Sequence, residues 1–321
     1  MITLLTNTNT KTALEVLRAN GSQINSAERR VSTGYAVATA ADDAAYWSIA
    51  TTMRSDSKTL SAVEDALGMA AAVVDTAANG FSNATEALKD VKALLVLARE
   101  PGVDREKIGT DLDELKAQLK SVAHASSFSG ENWLWRSDAS QDADRNLVAS
   151  FNRSADGTIK LVDMTYEIAG QAGTSDVNFL VDDASGESGI LTGSGFASEL
   201  GTSKDWVLFN GENGPIHTEM ALSKTTSDAD IDEMITVVDA MAERAIDVGS
   251  TLGSLSSRVA LQTSFAGNLT DSLSRGVGKM VDADMDQESS RLRALQAQRM
   301  LGSQSLSIIN ASASVFRQLF N

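Results

Sequence analysis

An apolar row with steps of three and four runs from Tyr46 to Ala98: Tyr46, Ile49, Met53, Asp56, Leu60, Val63, Leu67, Ala70, Val74, Ala77, Phe81, Ala84, Leu88, Val91, Leu95 and Ala98, with Asp56 the one exception. A heptad sustained that long specifies a helix with one apolar seam of coiled-coil type. At 1.5 Å per residue such a helix is roughly 75–80 Å long, far beyond the ordinary globular helix. Arg99-Glu100-Pro101-Gly102 stops it, since proline cannot continue a helix and glycine permits the turn. Ile108, Leu112, Leu115, Leu119 and Val122 then carry the same register through a shorter helix, predicted to fold back as an antiparallel hairpin. A third seam starts at Ile231 and runs through Met234, Val238, Met241, Ala245, Val248, Leu252, Leu255, Val259, Gln262, Ala266, Leu269, Leu273, Gly276 and Met280, and Asp228 or Asp230 is placed to cap its start. Three seams of one period need each other, because a lone helix leaves its stripe in water.

The stretch from about 128 to 222 reads differently. Glycine and serine rise, and short alternating runs appear at 146–152, 158–168, 177–181 and 206–209, with Ala155-Asp156-Gly157-Thr158 a hairpin turn between the first two. The expected fold class is mainly α with a β-rich middle: a long coiled-coil-like helical bundle formed by the N- and C-terminal segments, plus a small surface β region that leans on it. The segment Ser185-Gly186-Glu187-Ser188-Gly189 reads as a flexible loop.

The extreme ends form a third class. Leu17, Ile24 and Val31 repeat every seven residues, with Leu14 and Gly21 three ahead of the first two; near the C-terminus Ala294, Leu301, Ile308 and Val315 form one row, Leu295, Ile309 and Phe316 a second, and Leu292, Leu306, Ala313 and Phe320 a third. Leaving one large apolar side chain in water forfeits roughly 1.5–3 kcal/mol, so these stripes ask for each other and for copies of themselves on neighbouring chains. Packing of both ends into one monomeric bundle is the plainer alternative; the ends lie beyond rods whose own heptads already pair, which favours tails that order in a polymer.

Composition removes other classes. The 27 basic against 43 acidic residues, net charge −16, leave no basic footprint for nucleic acid. No cysteine is present, which excludes disulfides and thiolate metal sites. No stretch approaches 18 apolar residues, so no membrane span is expected, and the first seven residues lack the charge and apolar run of a Sec signal. His124 and His217 are far apart and suggest no zinc site. Asp282, Asp284 and Asp286 imitate an EF-hand start, but Gln287 and Arg293 stand where glycine and glutamate are required, leaving an acidic helix start. No catalytic, cofactor or metal constellation is identified, so an enzyme built as a coiled-coil stalk with a catalytic middle has no support. Arg29 and Arg30 beside Asp42 and Asp43 read as a salt-bridge set, and Gly34 as a bend between the terminal helix and the rod.

Two segments resemble the bacterial flagellins, in the wording of soil alphaproteobacteria. Arg29 to Val37 followed by Ala40-Ala41-Asp42-Asp43-Ala44-Ala45-Tyr46-Trp47-Ser48-Ile49-Ala50 resembles the family's N-terminal signature, and Val281–Glu288 running through Leu295-Gln296, Ser305-Leu306 and Asn310-Ala311 to Leu319-Phe320 resembles its C-terminal core. Phe128-Ser129-Gly130-Glu131-Asn132-Trp133-Leu134 is similar to the turn that closes the family's helical hairpin. The resemblance implies a structural subunit of the flagellar filament and no enzyme. It implies inner-core terminal helices over 1–42 with 283–321, an outer-core bundle with a β-hairpin over 43–165 with 223–282, and a variable surface segment at 166–222. Inner-tube packing is assigned to Leu14, Leu17, Ile24, Val31, Leu306, Ile309, Phe316 and Phe320, outer-tube packing to Leu60, Leu67, Val74, Leu252, Leu255 and Val259, and the hinge to Gly34. Implied partners are further copies of the chain, sister flagellins, a filament cap protein, the hook–filament junction protein, an export chaperone and the flagellar type III apparatus, with an extracellular location and neither nucleic acid nor membrane bound. A junction protein of the same superfamily is the alternative. Members sensed by the toll-like innate receptor carry an arginine where this chain has Asp90, with Leu94 kept, which implies weak or absent activation.

Overall fold

The computed structural model describes residues 8–138, 144–154, 156–168 and 174–319. Among the described residues the helices are α1 (Thr8–Thr33), α2 (Ala44–Ala98), α3 (Arg105–Ala125), α4 (Gly195–Leu200), α5 (Asp228–Val281) and α6 (Met285–Leu319). The strands are β1 (Ser127–Phe128), β2 (Glu131–Asn132), β3 (Trp135–Arg136), β4 (Arg145–Arg153), β5 (Ile159–Tyr166), β6 (Val181–Asp182), β7 (Trp206–Val207) and β8 (Thr218–Glu219). The chain divides into two compact units, Met1–Lys58 with Leu269–Asn321, and Thr59–Asn268.

In the second unit the seams close on one another. Every row position of α2 from Leu60 to Ala98 is buried, every row position of α5 from Ile231 to Val259 is buried, and Ile108, Leu112 and Leu119 of α3 join them. Helix α2 ends before the proline, with Gly102 at φ +87°, and Asp104 caps α3 by accepting from the Glu106 N–H at 3.3 Å. Arg99 ties the turn to α5 through Asp228 at 2.9 Å and Asp232 at 2.8 Å. The α5 cap is neither Asp228 nor Asp230 alone. Ser227 Oγ accepts from the Asp230 N–H at 3.1 Å, and Asp230 accepts from the Ser227 N–H at 3.4 Å, a reciprocal box that satisfies two orphan donors. Asp228 pairs instead with Arg99 and Arg105.

Strand content in the middle is concentrated in the β4–β5 antiparallel hairpin, which carries a register shift between Val148 and Ser150. The β1–β2 turn holds Ser129 at φ +52° and Gly130 at φ +87°, two successive left-handed residues as a tight hairpin requires. The run at 177–181 is mostly loop, and only Val181–Asp182 pairs, with Trp135–Arg136. Its apolar residues do not build a separate core: Phe179, Leu180, Val181, Ile190, Leu191 and Leu208 share one cluster with α2, α3 and α5. Arg244 of α5 clamps this layer, donating to the Val177 carbonyl at 2.8 Å and to Asp176 Oδ1 at 2.6 Å. Glu233 accepts from Trp206 Nε1 at 2.8 Å and from the Ser203 N–H at 3.0 Å.

The expectation of a loose Ser185–Gly189 loop is overturned. Ser188 is buried, and the loop wraps a buried carboxylate that composition alone does not reveal. Asp182 accepts from the N–H groups of Ala184, Ser185, Glu187 and Ser188 at 3.0–3.2 Å and from Ser185 Oγ at 2.7 Å, with Arg136 at 3.5 Å. Burial alone would raise its pKa, but the Ser185 bonds, the Arg136 charge and the Ser188 bond outweigh it and hold the carboxyl below its ordinary 3.8.

Candidate assembly surface

The first unit is built on the α1–α6 pair. Ile24, Ala27 and Leu295 form its buried cluster, with Leu292 against them. A Cβ on Gly302 would come within 2.9 Å of Leu17, so glycine there lets the two helices approach. Arg30 reaches Glu288 at 2.9 Å. Contacts pairing 17 with 302, 24 with 295 and 30 with 288 make the helices antiparallel. The salt-bridge set expected among Arg29, Arg30, Asp42 and Asp43 does not form. Arg30 goes to Glu288, and both aspartates serve the backbone. Asp42 accepts from the Thr39 N–H and hydroxyl at 3.0 Å and the Ala38 N–H at 3.2 Å, and the Thr39 bonds hold its pKa below 3.8. Asp43 caps α2 by accepting from the Ala45 and Tyr46 N–H groups at 3.0 and 3.1 Å. Asp284 caps α6 in the same way, accepting from Asp286 and Gln287 at 3.1 Å.

Between α1 and α2 the chain turns at Gly34, whose φ is +75°. Its N–H closes α1 on the Arg30 carbonyl at 2.8 Å, and its carbonyl accepts from the Ala283 N–H at 2.8 Å. The Ala36 N–H donates to the Val281 carbonyl at 2.7 Å, so 34–36 lies strand-like along 281–283. Arg54 sits 5.0 Å over the Tyr35 ring.

Below Leu60 the predicted α2 row slips. Tyr46 and Ile49 are exposed, and Ala50 takes the buried place with Val277 and Val281, where Gly276 and Met280 were expected to lead. The lower part of α2 packs in a cluster of its own, in which the small Ala50 lies against Val277 and Val281, apart from the large cluster that takes Val63 to Ala98.

The assigned inner-tube residues fall into distinct environments. Ile24 is buried; Leu17, Val31, Leu306 and Ile309 are half-buried; Leu14 is exposed. The backbone of Phe316 belongs to α6 but its side chain is outside the described ones, and Phe320 lies outside the described residues. The outer-tube residues Leu60, Leu67, Val74, Leu252, Leu255 and Val259 are all buried. Ala27 was missed as a core position because the N-terminal row was extended three residues ahead of Ile24, to Gly21, and not three residues after it. Asn20 was missed as well: it is buried with its Oδ1 unpaired among the described residues. On the outward faces Ile308 is 68% exposed, Met300 67%, Leu301 63% and Val16 61%. Scattered apolar exposure is ordinary; here four large apolar side chains of the paired helices stand in solvent.

Residues 4–139 match the bacterial flagellin N-terminal helical region, and residues 232–319 match the bacterial flagellin C-terminal helical region. The chain belongs to the flagellin family. Flagellin C of Rhizobium meliloti is 43% identical over 326 residues, covering all of this chain and 99% of that one. Flagellin D of Rhizobium meliloti is 36% identical over 394 residues, covering both chains entirely. A flagellin of Brucella melitensis is 36% identical over 321 residues, covering all of this chain and 99% of its own. Within this flagellin family the relatives are structural proteins, and nothing in the comparisons favours the hook–filament junction protein.

Proposed function

We propose that this flagellin-family chain is a structural subunit whose terminal helices are completed by the same helices of neighbouring copies. Family membership implies self-polymerisation into the flagellar filament, the extracellular organelle that its homologues form. The finer reading assigns 1–42 with 283–321 to an inner core, 43–165 with 223–282 to an outer core, and 166–222 to the variable surface. Support comes from the exposed Val16, Met300, Leu301 and Ile308. Each exposed large side chain would regain roughly 1.5–3 kcal/mol on burial, and a head-to-tail contact that does not close produces a filament. Export through the type III apparatus, an export chaperone, a cap protein and the junction protein are the partners consistent with this role. Co-assembly with sister flagellins belongs to the same reading. Electron microscopy after salt-induced assembly tests it. The full chain is expected to form filaments and a version lacking residues 1–35 to form none; a full chain that stays monomeric at every salt concentration would falsify the reading.

Asp90, Asp111 and Glu114 place three carboxylates around Leu94 in one surface depression of α2 and α3. With Asp90 in place of the arginine of receptor-sensed members, the chain is a weak or silent agonist of the toll-like innate receptor. Strong activation of a reporter cell line by the purified monomer would refute this.

A further inference from the structure

We propose that Asn213 is a self-modifying site, at which the side-chain amide is lost to attack by the Gly214 main-chain nitrogen and aspartate or isoaspartate is left on an exposed turn. The chain contains four Asn-Gly pairs: Asn20-Gly21, Asn79-Gly80, Asn210-Gly211 and Asn213-Gly214. Such pairs are the least hindered for this reaction, since glycine puts no Cβ beside the attacking nitrogen and lets the backbone rotate into position.

The fold suppresses the reaction at three of them. Asn20 lies within α1 and Asn79 within α2, where the next N–H is committed to the carbonyl four residues back and cannot turn toward the side chain. Asn210 is in a loop, but its amide is held at both ends: Oδ1 accepts from the His217 N–H at 2.8 Å, and Nδ2 donates to the His217 carbonyl at 3.3 Å. Asn213 differs in each respect. It is exposed on a turn outside any helix or strand, and among the described residues neither its amide nor the Gly214 N–H has a hydrogen-bond partner.

The step balances without any oxidant or cofactor. The Gly214 nitrogen, losing its proton to water, bonds to Asn213 Cγ; the Cγ–Nδ2 bond breaks, and Nδ2 leaves as ammonia. Water then opens the five-membered imide. Attack at Cγ gives aspartate. Attack at the main-chain carbonyl carbon gives isoaspartate, with the chain now running through the former side chain. The net change is one water consumed and one ammonia released, and one negative charge gained beside Glu212.

The consequence is local. A Cβ on Gly214 would lie 2.6 Å from the Gly186 Cα, so the turn rests directly on the loop that wraps Asp182. Isoaspartate inserts an extra backbone carbon at this contact and pushes Gly214 off Gly186.

Peptide mass mapping of the intact folded chain, incubated at neutral pH, tests the proposal. Trypsin releases Asn210 and Asn213 in one peptide between Lys204 and Lys224, and fragmentation separates them. Asn213 is expected to convert at least about tenfold faster than the other three, equivalent to about 1.4 kcal/mol of barrier, whereas in denaturant the four rates converge. Asn213→Gln should remove the product. Equal conversion of Asn210 in the folded chain, or none at Asn213 under conditions where the denatured chain converts, overturns the assignment. Hydrogen exchange across 183–189 should rise in step with isoaspartate, and unchanged exchange at full conversion would overturn the link to Gly186.

Discussion

The bundle between Thr59 and Asn268 and the paired ends are written in the same heptad pattern, but they finish differently. In the bundle, α2, α3, α5 and the 177–222 layer surround one core, and the seam residues of α2 from Leu60 onward are closed off from water. In the ends, two helices meet along one strip, Ile24 and Ala27 against Leu295 with Leu17 against Gly302, while Val16, Met300 and Leu301 stay exposed. A helix pair can bury one face of each member; a three-helix bundle with a capping layer can bury more. The number of elements the chain supplies to each region sets how far its seams close, yet both regions keep large apolar side chains in solvent: Met300, Leu301 and Ile308 at the ends, Leu261 and Phe265 on α5.

Four variants sharpen that contrast, taken from the largest effect on the monomer to the smallest. Phe81→Ala removes a fully buried ring from the bundle core and should cost about 3–5 kcal/mol in urea unfolding; a loss below about 1 kcal/mol would mean that the core can collapse around the gap. Asp182→Asn removes the charge that answers Arg136 and presents an NH2 to backbone donors, at about 3 kcal/mol. Its pH dependence is a second check. Because the folded carboxyl titrates below its ordinary 3.8, its stabilisation is complete above that value and is lost as pH falls through the lower folded pKa, so wild-type stability should drop in strong acid more steeply than the variant's.

Gly34→Val forces a β-branched residue to φ +75° and should cost about 1–2 kcal/mol, read as earlier thermal loss of the 34–36/281–283 contact and as failed or reshaped filaments. A variant assembling into normal filaments would remove Gly34 from the list of hinges. Last, Leu301→Ser with Ile308→Ser should leave monomer stability within about 0.5 kcal/mol yet raise the critical concentration for assembly. Equal critical concentrations, measured by sedimentation, would show that these rows are not covered in the polymer.

Much of this was legible without coordinates. The α2 and α5 seams, the stop at Pro101, the return helix and the 155–158 turn signal are all local: each depends on periodicity or on the allowed φ of one or two residues. The failures are instructive because they are non-local. Tyr46 and Ile49 keep the period but lose the seam, since the start of α2 packs in a different cluster, through Ala50 with Val277 and Val281. Ser185–Gly189 has the composition of a surface loop and is held by Asp182, a buried aspartate paired with Arg136 forty-six positions earlier. Arg30 has two acidic residues nearby in sequence and pairs with Glu288 instead.

Sequence alone determined that long helices occupy both flanks of the chain, which face of α2 from Leu60 and of α5 up to Val259 is apolar, and that the family is the flagellins, because these rest on spacing and residue type. Tertiary structure decided which apolar faces are already satisfied within one chain, which carboxylates are buried with donors around them, and which of four chemically identical Asn-Gly pairs is free to react. Those outcomes depend on atoms brought together from distant positions, and the free energy of such contacts is set by distance and solvent access, which no local pattern encodes.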